Sequence, residues 1–359
     1  MHDARIQRLL KRLSGDKLDA LLVTSLPNIY YLSGFTGSTA MLLLTAGKRW
    51  FLTDFRYHEQ VGKQVRGGYE LFDNTGKKLV EDVLPGLPGA DKLKRIGFES
   101  DHVTHATFEK LSADESHEFC ATSGWVEDLR MVKDESEVKL IRESVLLNER
   151  IFSELLGLIG PGVTEADLAA EIGYRAMKSG ALGVSFSPIV ASGANSSKPH
   201  AGFSTQELAA GAPLTFDMGV QLGGYCSDMT RTVFYKDCSA EWEQIYGIVR
   251  EAKDMVTAQL KPGMLGREAD AIARGHIAAA GHGEHFGHGL GHGVGIEVHE
   301  GPRLAAPSEQ KLAAGNVVTN EPGIYLPGEG GVRIEDILLV TADGCENLNT
   351  LPTDIQVIG

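Results

Sequence analysis

Apolar and polar positions alternate along the first third of the chain in short blocks. A basic amphipathic stretch at residues 4–12 is followed by apolar runs at 20–23, 40–44, 50–53 and 95–98, with Gly and Ser clusters between them. Strand-length apolar runs divided by turn residues predict an α/β domain built on a central sheet. The pattern changes near Gly124 and Trp125. From Lys133 the sequence KDESEVKLIRESVLLNERIFSELLGLI repeats its apolar positions with the period of a helix, and Gly160-Pro161 is the expected stop. The domain boundary is therefore expected near residue 130, giving domains 1–130 and 131–359.

The second domain has an internal rhythm. Helical stretches at about 135–159 and 164–180 lead to LTFDMGVQLGGYCSDMTRTVF, and a second pair at about 240–260 and 266–280 leads to VVTNEPGIYLPGEGGVRIEDILLV. Each target segment is two β-rich runs around a Gly-rich turn, which reads as a hairpin. Asp217 and Asp228 in the first recur as Glu321 and Glu335 in the second. Helices followed by an acid-bearing hairpin, twice over, predict two related halves that face each other.

Composition narrows the function. Forty-eight acidic residues against 34 basic ones leave a formal net charge of −14, which argues against nucleic acid or an anionic membrane as the main partner. Cys120, Cys226, Cys238 and Cys345 include no CxxC pair and make no disulfide framework at this length, so reduced thiols in a cytoplasmic protein are expected. The N-terminal segment is charged throughout and reads as neither signal peptide nor membrane span.

The candidate chemistry lies in the hairpins. Asp217 interrupts the apolar run Leu214-Thr215-Phe216-Asp217-Met218, and Asp228 precedes Thr230-Arg231-Thr232. An Asp is a poor strand former and is expensive to bury unpaired, so either one alone reads as an exposed edge or turn residue. Glu321 before Pro322-Gly323, and Glu335 in Val332-Arg333-Ile334-Glu335, repeat the oddity, and alternation sets Arg333 and Glu335 on one face. Four carboxylates aimed at one space repel each other unless cations sit between them. Five of the 12 histidines fall between His282 and His299 in GHGEHFGHGLGHGVGIEVHEGP. Taken alone, that run reads slightly more readily as a flexible glycine loop with solvated histidines than as a ligand source. HExxH, GxSxG, GxGxxG and P-loop motifs are absent, which removes zincins, serine hydrolases and nucleotide sites.

In order, FDMG at 216–219, SDMTRT at 227–232, HGLGHGVGIEVHE at 288–300, NEPGIY at 320–325 and GVRIED at 331–336 resemble the M24 metallopeptidases, the pita-bread enzymes, with VASGANSSKPHA at 190–201 as a further match. NIYYLSGFTG at 28–37 and TDFRY at 53–57 resemble, more weakly, the creatinase/prolidase N-terminal domain. The resemblance implies an α/β N-terminal creatinase-like domain and an α+β pita-bread catalytic domain with two pseudo-symmetric halves. It implies hydrolysis of Xaa-Pro bonds by a hydroxide activated between two divalent ions, manganese first, with zinc, cobalt or iron as alternatives. Asp217, Asp228, His292, Glu321 and Glu335 are the implied ligands, with Asp228 and Glu335 bridging. Glu321 is the implied proton shuttle. His299 would hydrogen-bond the substrate, His200 would sit beside the leaving group, His288 would form part of the pocket wall, and Arg333 would orient the ligand carboxylates. Asn320 departs from the usual apolar residue at its position.

Three neighbouring readings remain. Methionine aminopeptidases share the catalytic half without a domain like residues 1–130; creatinases share both domains without the metal ligands; inactive pita-bread binding modules lose ligands that are all present here. Among proline peptidases, Arg303 is the candidate clamp for the free carboxylate of a dipeptide, favouring Xaa-Pro dipeptidase (prolidase) over aminopeptidase P. Enzymes of this kind are commonly homodimers, and Phe35 in the loop Ser33-Gly34-Phe35-Thr36-Gly37 is a candidate for reaching into a partner's pocket.

Overall fold

A computed structural model describes residues 2–359. The chain divides into two compact units, the first ending at Arg130 and the second running from Met131 to Gly359. No helix among the described residues is long and apolar enough to cross a membrane.

The first unit contains helices α1 (His2–Gly15), α2 (Leu26–Ser33), α3 (His58–Gln64), α4 (Leu84–Gly86), α5 (His105–Ser112) and α6 (Glu127–Arg130). Its strands are β1 (Ala20–Val23), β2 (Met41–Thr45), β3 (Arg49–Thr53), β4 (Glu70–Asp73), β5 (Arg95–Glu99) and β6 (Glu118–Thr122). They form one mixed sheet in the order β4-β3-β2-β1-β5-β6. The four apolar runs become its central strands, which are buried along nearly their whole length. Strands buried on both faces lose the polar alternation of a half-exposed strand, hence the continuous apolar blocks. α1 buries Ile6, Leu9 and Leu13, the stripe expected of an amphipathic helix.

Phe35 is the correction in this unit. It is 1 % exposed and packs edge-on against Phe51, with ring centroids 4.9 Å apart, and against Tyr57 at 5.7 Å. Gly34, at φ 80°, ends α2 and turns the ring into the core, so Phe35 is not available to reach into a partner.

The second unit delivers the expected rhythm. α7 (Glu135–Leu156) and α8 (Glu165–Lys178) are followed by β7 (Gly183–Val184), β8 (Ile189–Ser192), β9 (Pro213–Met218), β10 (Val220–Leu222), β11 (Tyr225–Cys226) and β12 (Met229–Tyr235). α9 (Ala240–Gln259) and α10 (Gly266–Ala279) are followed by β13 (Gly291–Gly293), β14 (Glu300–Leu304), β15 (Val317–Asn320), β16 (Gly323–Leu326), β17 (Gly330–Arg333), β18 (Asp336–Val340), β19 (Cys345–Asn347) and β20 (Val357–Ile358). Capping boxes start α7 at Asp134 with Glu137 and α8 at Thr164 with Asp167. α7 ends at Leu156, ahead of Gly160-Pro161, because Gly157 already weakens the last turn. The two halves have separate cores, one holding Phe152, Ile172 and Phe216, the other Tyr246, Ile277 and Leu338. Each fully buried large apolar side chain contributes about 1.5–3 kcal/mol.

Each expected hairpin is two nested pairs. β9 pairs antiparallel with β12, and β10–β11 close inside them through Gly223-Gly224, both at positive φ. Two such residues fit the tight turn whose twist matches flanking strands. β15 pairs with β18, and β16–β17 form the inner pair. Pro322, lacking an N–H, interrupts the second ladder just after Glu321. The chain leaves and re-enters the outer pairs at these breaks, and the acidic residues lie at or beside them.

Candidate metal centre

Asp217 lies near the end of β9, opposite Thr230 of β12, and Asp228 sits just before β12. Glu321 follows β15, and Glu335 precedes β18. His292 is the middle residue of β13, which lies between β14 and β15 in a five-stranded sheet. The glycine-rich histidine run is therefore strand at Gly291–Gly293, around His292. A Cβ at Gly291 would overlap the Thr319 carbonyl, and one at Gly293 the Gly301 carbonyl, so glycine permits the close strand packing around His292.

These side chains converge. Asp228, His292 and Glu335 offer ligand atoms that all lie within 4.8 Å of one another. Nε2 of His292 is 3.6 Å from Asp228 Oδ2 and 3.4 Å from Glu321 Oε1. Asp217 receives Nη2 of Arg333 on Oδ2 at 2.6 Å. Its Oδ1, and Oδ1 of Asp228, are buried without a hydrogen-bond partner among the described residues.

The electrostatics show what the cluster lacks. Burial, then the charges of Glu335, Asp217 and Glu321, push the Asp228 carboxyl well above its ordinary range. Burial, followed by Glu321 and Asp217, does the same to Glu335. Burial pushes Glu321 up to about 8, and burial with the neighbouring His299 holds His292 down to about 4. His292 is thus neutral. Its Nδ1 faces the Gly293 carbonyl at 3.1 Å and must donate there, leaving the Nε2 lone pair aimed at two carboxylates. Lone pair against carboxylate, beside two orphaned carboxylate oxygens, is an arrangement that a divalent cation satisfies and that a proton satisfies only in part. Oxygen and imidazole donors suit manganese, zinc, cobalt or iron.

Several residues position these donors. The Thr230 hydroxyl donates to Glu335 Oε2 and accepts from Arg333 Nε. The Thr319 hydroxyl accepts the His292 backbone N–H at 3.0 Å and donates to Glu321 Oε1 at 3.1 Å. Arg333, buried, also donates to the Tyr325 hydroxyl at 2.7 Å and to the Pro199 carbonyl. His288 Nδ1 donates to the Gly289 carbonyl and its Nε2 meets the Tyr325 hydroxyl at 2.8 Å, so both ring nitrogens are engaged within the protein. Thr230, Thr319 and Tyr325 went unnoticed in the sequence. Their signal was position: each lies inside or beside a ligand-bearing motif, and Thr319 and Glu321 are two apart.

The remaining sequence candidates gather at the edge. The ring of exposed His299 stacks edge-on to His292 with centroids 4.3 Å apart. Burial and then the Arg303 charge lower the His299 pKa, against the Asp217 carboxylate, with His200 adding to the lowering. Arg303 is exposed on β14, and its guanidinium has no hydrogen bond or ion pair among the described residues. His200 is exposed in the loop after β8. Asn320, fully buried, donates to the Lys253 carbonyl at 2.9 Å and to the Thr257 hydroxyl at 3.2 Å, tying β15 to α9.

Known proteins agree with this architecture. Residues 139–342 match metallopeptidase family M24, and residues 5–132 match the creatinase/prolidase N-terminal domain. A solved Xaa-Pro dipeptidase from Bacillus anthracis superposes with a TM-score of 0.95 at 38% identity, covering 100% of each chain. A solved X-Pro aminopeptidase from Thermotoga maritima gives 0.91 at 36% identity, covering 98% of this chain and 99% of its own. An Xaa-Pro dipeptidase of Pyrococcus horikoshii is 33% identical over 347 residues, 96% of each chain. With its helix-and-hairpin halves closing on a set of carboxylate and imidazole donors, the chain belongs to metallopeptidase family M24, in the form that carries a creatinase/prolidase N-terminal domain.

Proposed function

We propose that this metallopeptidase hydrolyses Xaa-Pro dipeptides, with Asp217, Asp228, His292, Glu321 and Glu335 holding two divalent ions. The observation that carries the reading is the convergence of Asp228, His292 and Glu335, together with one buried, unpartnered carboxylate oxygen on each of Asp217 and Asp228. When bound, such ions supply a Lewis acid for the scissile carbonyl and lower the pKa of the attacking water.

The chain's own groups supply the rest. Glu321 accepts a proton from the attacking water and delivers it to the proline nitrogen as the C–N bond breaks. His299 donates to the substrate oxygen that becomes negative. His200 lies beside the leaving proline. Arg333, through Asp217, and Tyr325 with His288 keep the donor set in place. An Xaa-Pro bond has no N–H, so a peptidase that grips that hydrogen cannot use it; this property of the substrate matches the named activity of the B. anthracis and P. horikoshii relatives.

Arg303 favours a dipeptide. Its exposed guanidinium sits close enough to His299 and His292 to shift both, and it is unengaged by the protein. The competing reading, an aminopeptidase acting on longer peptides, is favoured by the likeness to the T. maritima enzyme. Comparing hydrolysis of Ala-Pro with Ala-Pro-Ala decides: preference for the tripeptide overturns the dipeptidase. An inactive binding module is disfavoured by the complete donor set.

Manganese is the first candidate metal, tested by metal analysis of the purified enzyme. A cytoplasmic location fits four cysteines that form no disulfide, and fractionation of cells tests it. A homodimer rests on the resemblance alone, since Phe35 is buried; light scattering that shows only a 38.6 kDa species at micromolar protein overturns it.

A further inference from the structure

Behind the ligands lies a second cluster of charge that the reaction does not use. Arg231 of β12 is 2 % exposed and Asp336 of β18 is 1 % exposed. Asp336 accepts from Arg231 Nη2 at 2.7 Å, from Lys253 Nζ of α9 at 2.6 Å and from Asn347 Nδ2 at 2.9 Å. Two buried cations share one buried carboxylate. Such an arrangement rarely repays its desolvation, and apolar residues of equal volume often serve stability as well. Its presence asks for another reason.

Glu335 supplies one. It falls between β17 and β18, outside either ladder, so no strand pairing fixes it. Its N–H donates to the Thr230 carbonyl at 3.0 Å. Its own carbonyl accepts Nη1 of Arg231 at 2.6 Å, and the same nitrogen reaches the Thr230 carbonyl at 3.0 Å. One guanidinium nitrogen therefore clamps the two backbone carbonyls that set where the Glu335 carboxylate emerges. Nη2 donates to Asp336, which Lys253 also holds, and to the Leu351 carbonyl at 3.2 Å. Only a planar fork serves two carbonyls and a carboxylate together.

We infer that Arg231, braced by Asp336 and Lys253, is a positioning residue that fixes the backbone of Glu335 and thereby sets the affinity of the centre for its metal. The inference rests on the reading that Glu335 is a ligand. Metal affinity is sensitive to groups that hold the ligands, at about 10- to 100-fold per partner.

The test uses full-length protein freed of metal by chelation and dialysis, with Mn2+ titrated in by calorimetry. Amide hydrogen exchange at Glu335 and thermal melting are followed in parallel. Wild type that binds no Mn2+ overturns the metal reading itself, and this inference with it. Given binding by wild type, Arg231→Lys is expected to weaken Mn2+ affinity about 10- to 100-fold and to speed exchange at Glu335. Asp336→Asn is expected to act in the same direction, with little added loss in the double variant, because both act through one clamp. Lys253→Met leaves Asp336 with Arg231 and Asn347, so it is the variant to use if the others fail to fold; several-fold weaker binding is expected. Folded Arg231→Lys or Lys253→Met that melts lower yet binds Mn2+ as wild type does would show a purely structural triad and overturn the inference.

Discussion

The hydroxyl of Thr230 stands 2.7 Å from Oε2 of Glu335 and donates to it, while accepting Nε of Arg333 at 3.1 Å. One small side chain thus aims the carboxylate of a proposed ligand and holds the arginine that holds Asp217. Thr230→Val keeps the shape and removes both bonds. It is expected to lower kcat/KM about tenfold or more, with the melting temperature of the metal-free protein changed far less. Steady-state kinetics on Ala-Pro with matched melting curves check this; unchanged kinetics would show that Arg333 and the backbone suffice.

Removing the metal should abolish turnover and lower stability together. Metal that binds only the folded chain stabilises it by about 2.7 kcal/mol at a hundred times its dissociation constant. Dialysis against chelator, then melting with and without added Mn2+, measures both effects. Full activity in dialysed protein free of transition metal would refute the centre.

Glu321 and His299 separate by readout. Glu321→Gln removes a ligand charge and the proton carrier, and turnover is expected to fall by orders of magnitude with metal content reduced. His299→Ala is expected to slow turnover while leaving metal content near wild type. Metal analysis beside kinetics distinguishes the two; wild-type turnover in Glu321→Gln would end the proposed proton path.

Arg303→Ala is expected to cut efficiency on Ala-Pro by about two orders of magnitude, since two charge-assisted hydrogen bonds at about 1.5–3 kcal/mol each are lost. Ala-Pro-Ala should be affected little, and Arg303→Lys should restore only part of the loss. Equal hydrolysis of Ala-Pro by Arg303→Ala and wild type would remove the clamp.

Glu99 of the N-terminal unit provides a pH test. Burial raises its pKa above 4.5, although it accepts from the backbone N–H groups of Ser25 and Thr24 and from the Asn28 amide. A raised carboxyl holds its proton more tightly folded than unfolded, so its contribution to stability falls as pH rises from about 4.5. The stability of wild type relative to Glu99→Gln should therefore decrease between about pH 5 and about pH 7.5. Urea denaturation of both proteins at the two pH values tests the sign; an increase would mean the three donors outweigh burial.

The parts legible in the sequence were those set by local rules. Apolar runs gave β1, β2, β3 and β5, and helical period gave α7, α8, α9 and α10 close to their observed ends. The repeated acidic hairpins marked where charge converges, because a carboxylate inside an apolar strand violates burial energetics unless something neutralises it. What stayed hidden depends on tertiary neighbours. Thr230 and Thr319 look like ordinary strand residues until Glu335 and His292 are beside them. Phe35 read as available to a partner's pocket because nothing local announces Phe51 and Tyr57. The nesting of the hairpins followed from Pro322 and from Gly223-Gly224, whose effect on register shows only once the partners are known.

The proposed donor set is divided between the halves. Asp217 and Asp228 come before the segment at 236–239 that joins β12 to α9, and His292, Glu321 and Glu335 come after it. Neither half carries enough donors for a complete site. Metal loading is therefore also a measure of assembly: an ion held by both halves acts as a cross-link whose strength is added to that of the cores. A chain nicked between the halves would be expected to stay together when loaded and to loosen when stripped.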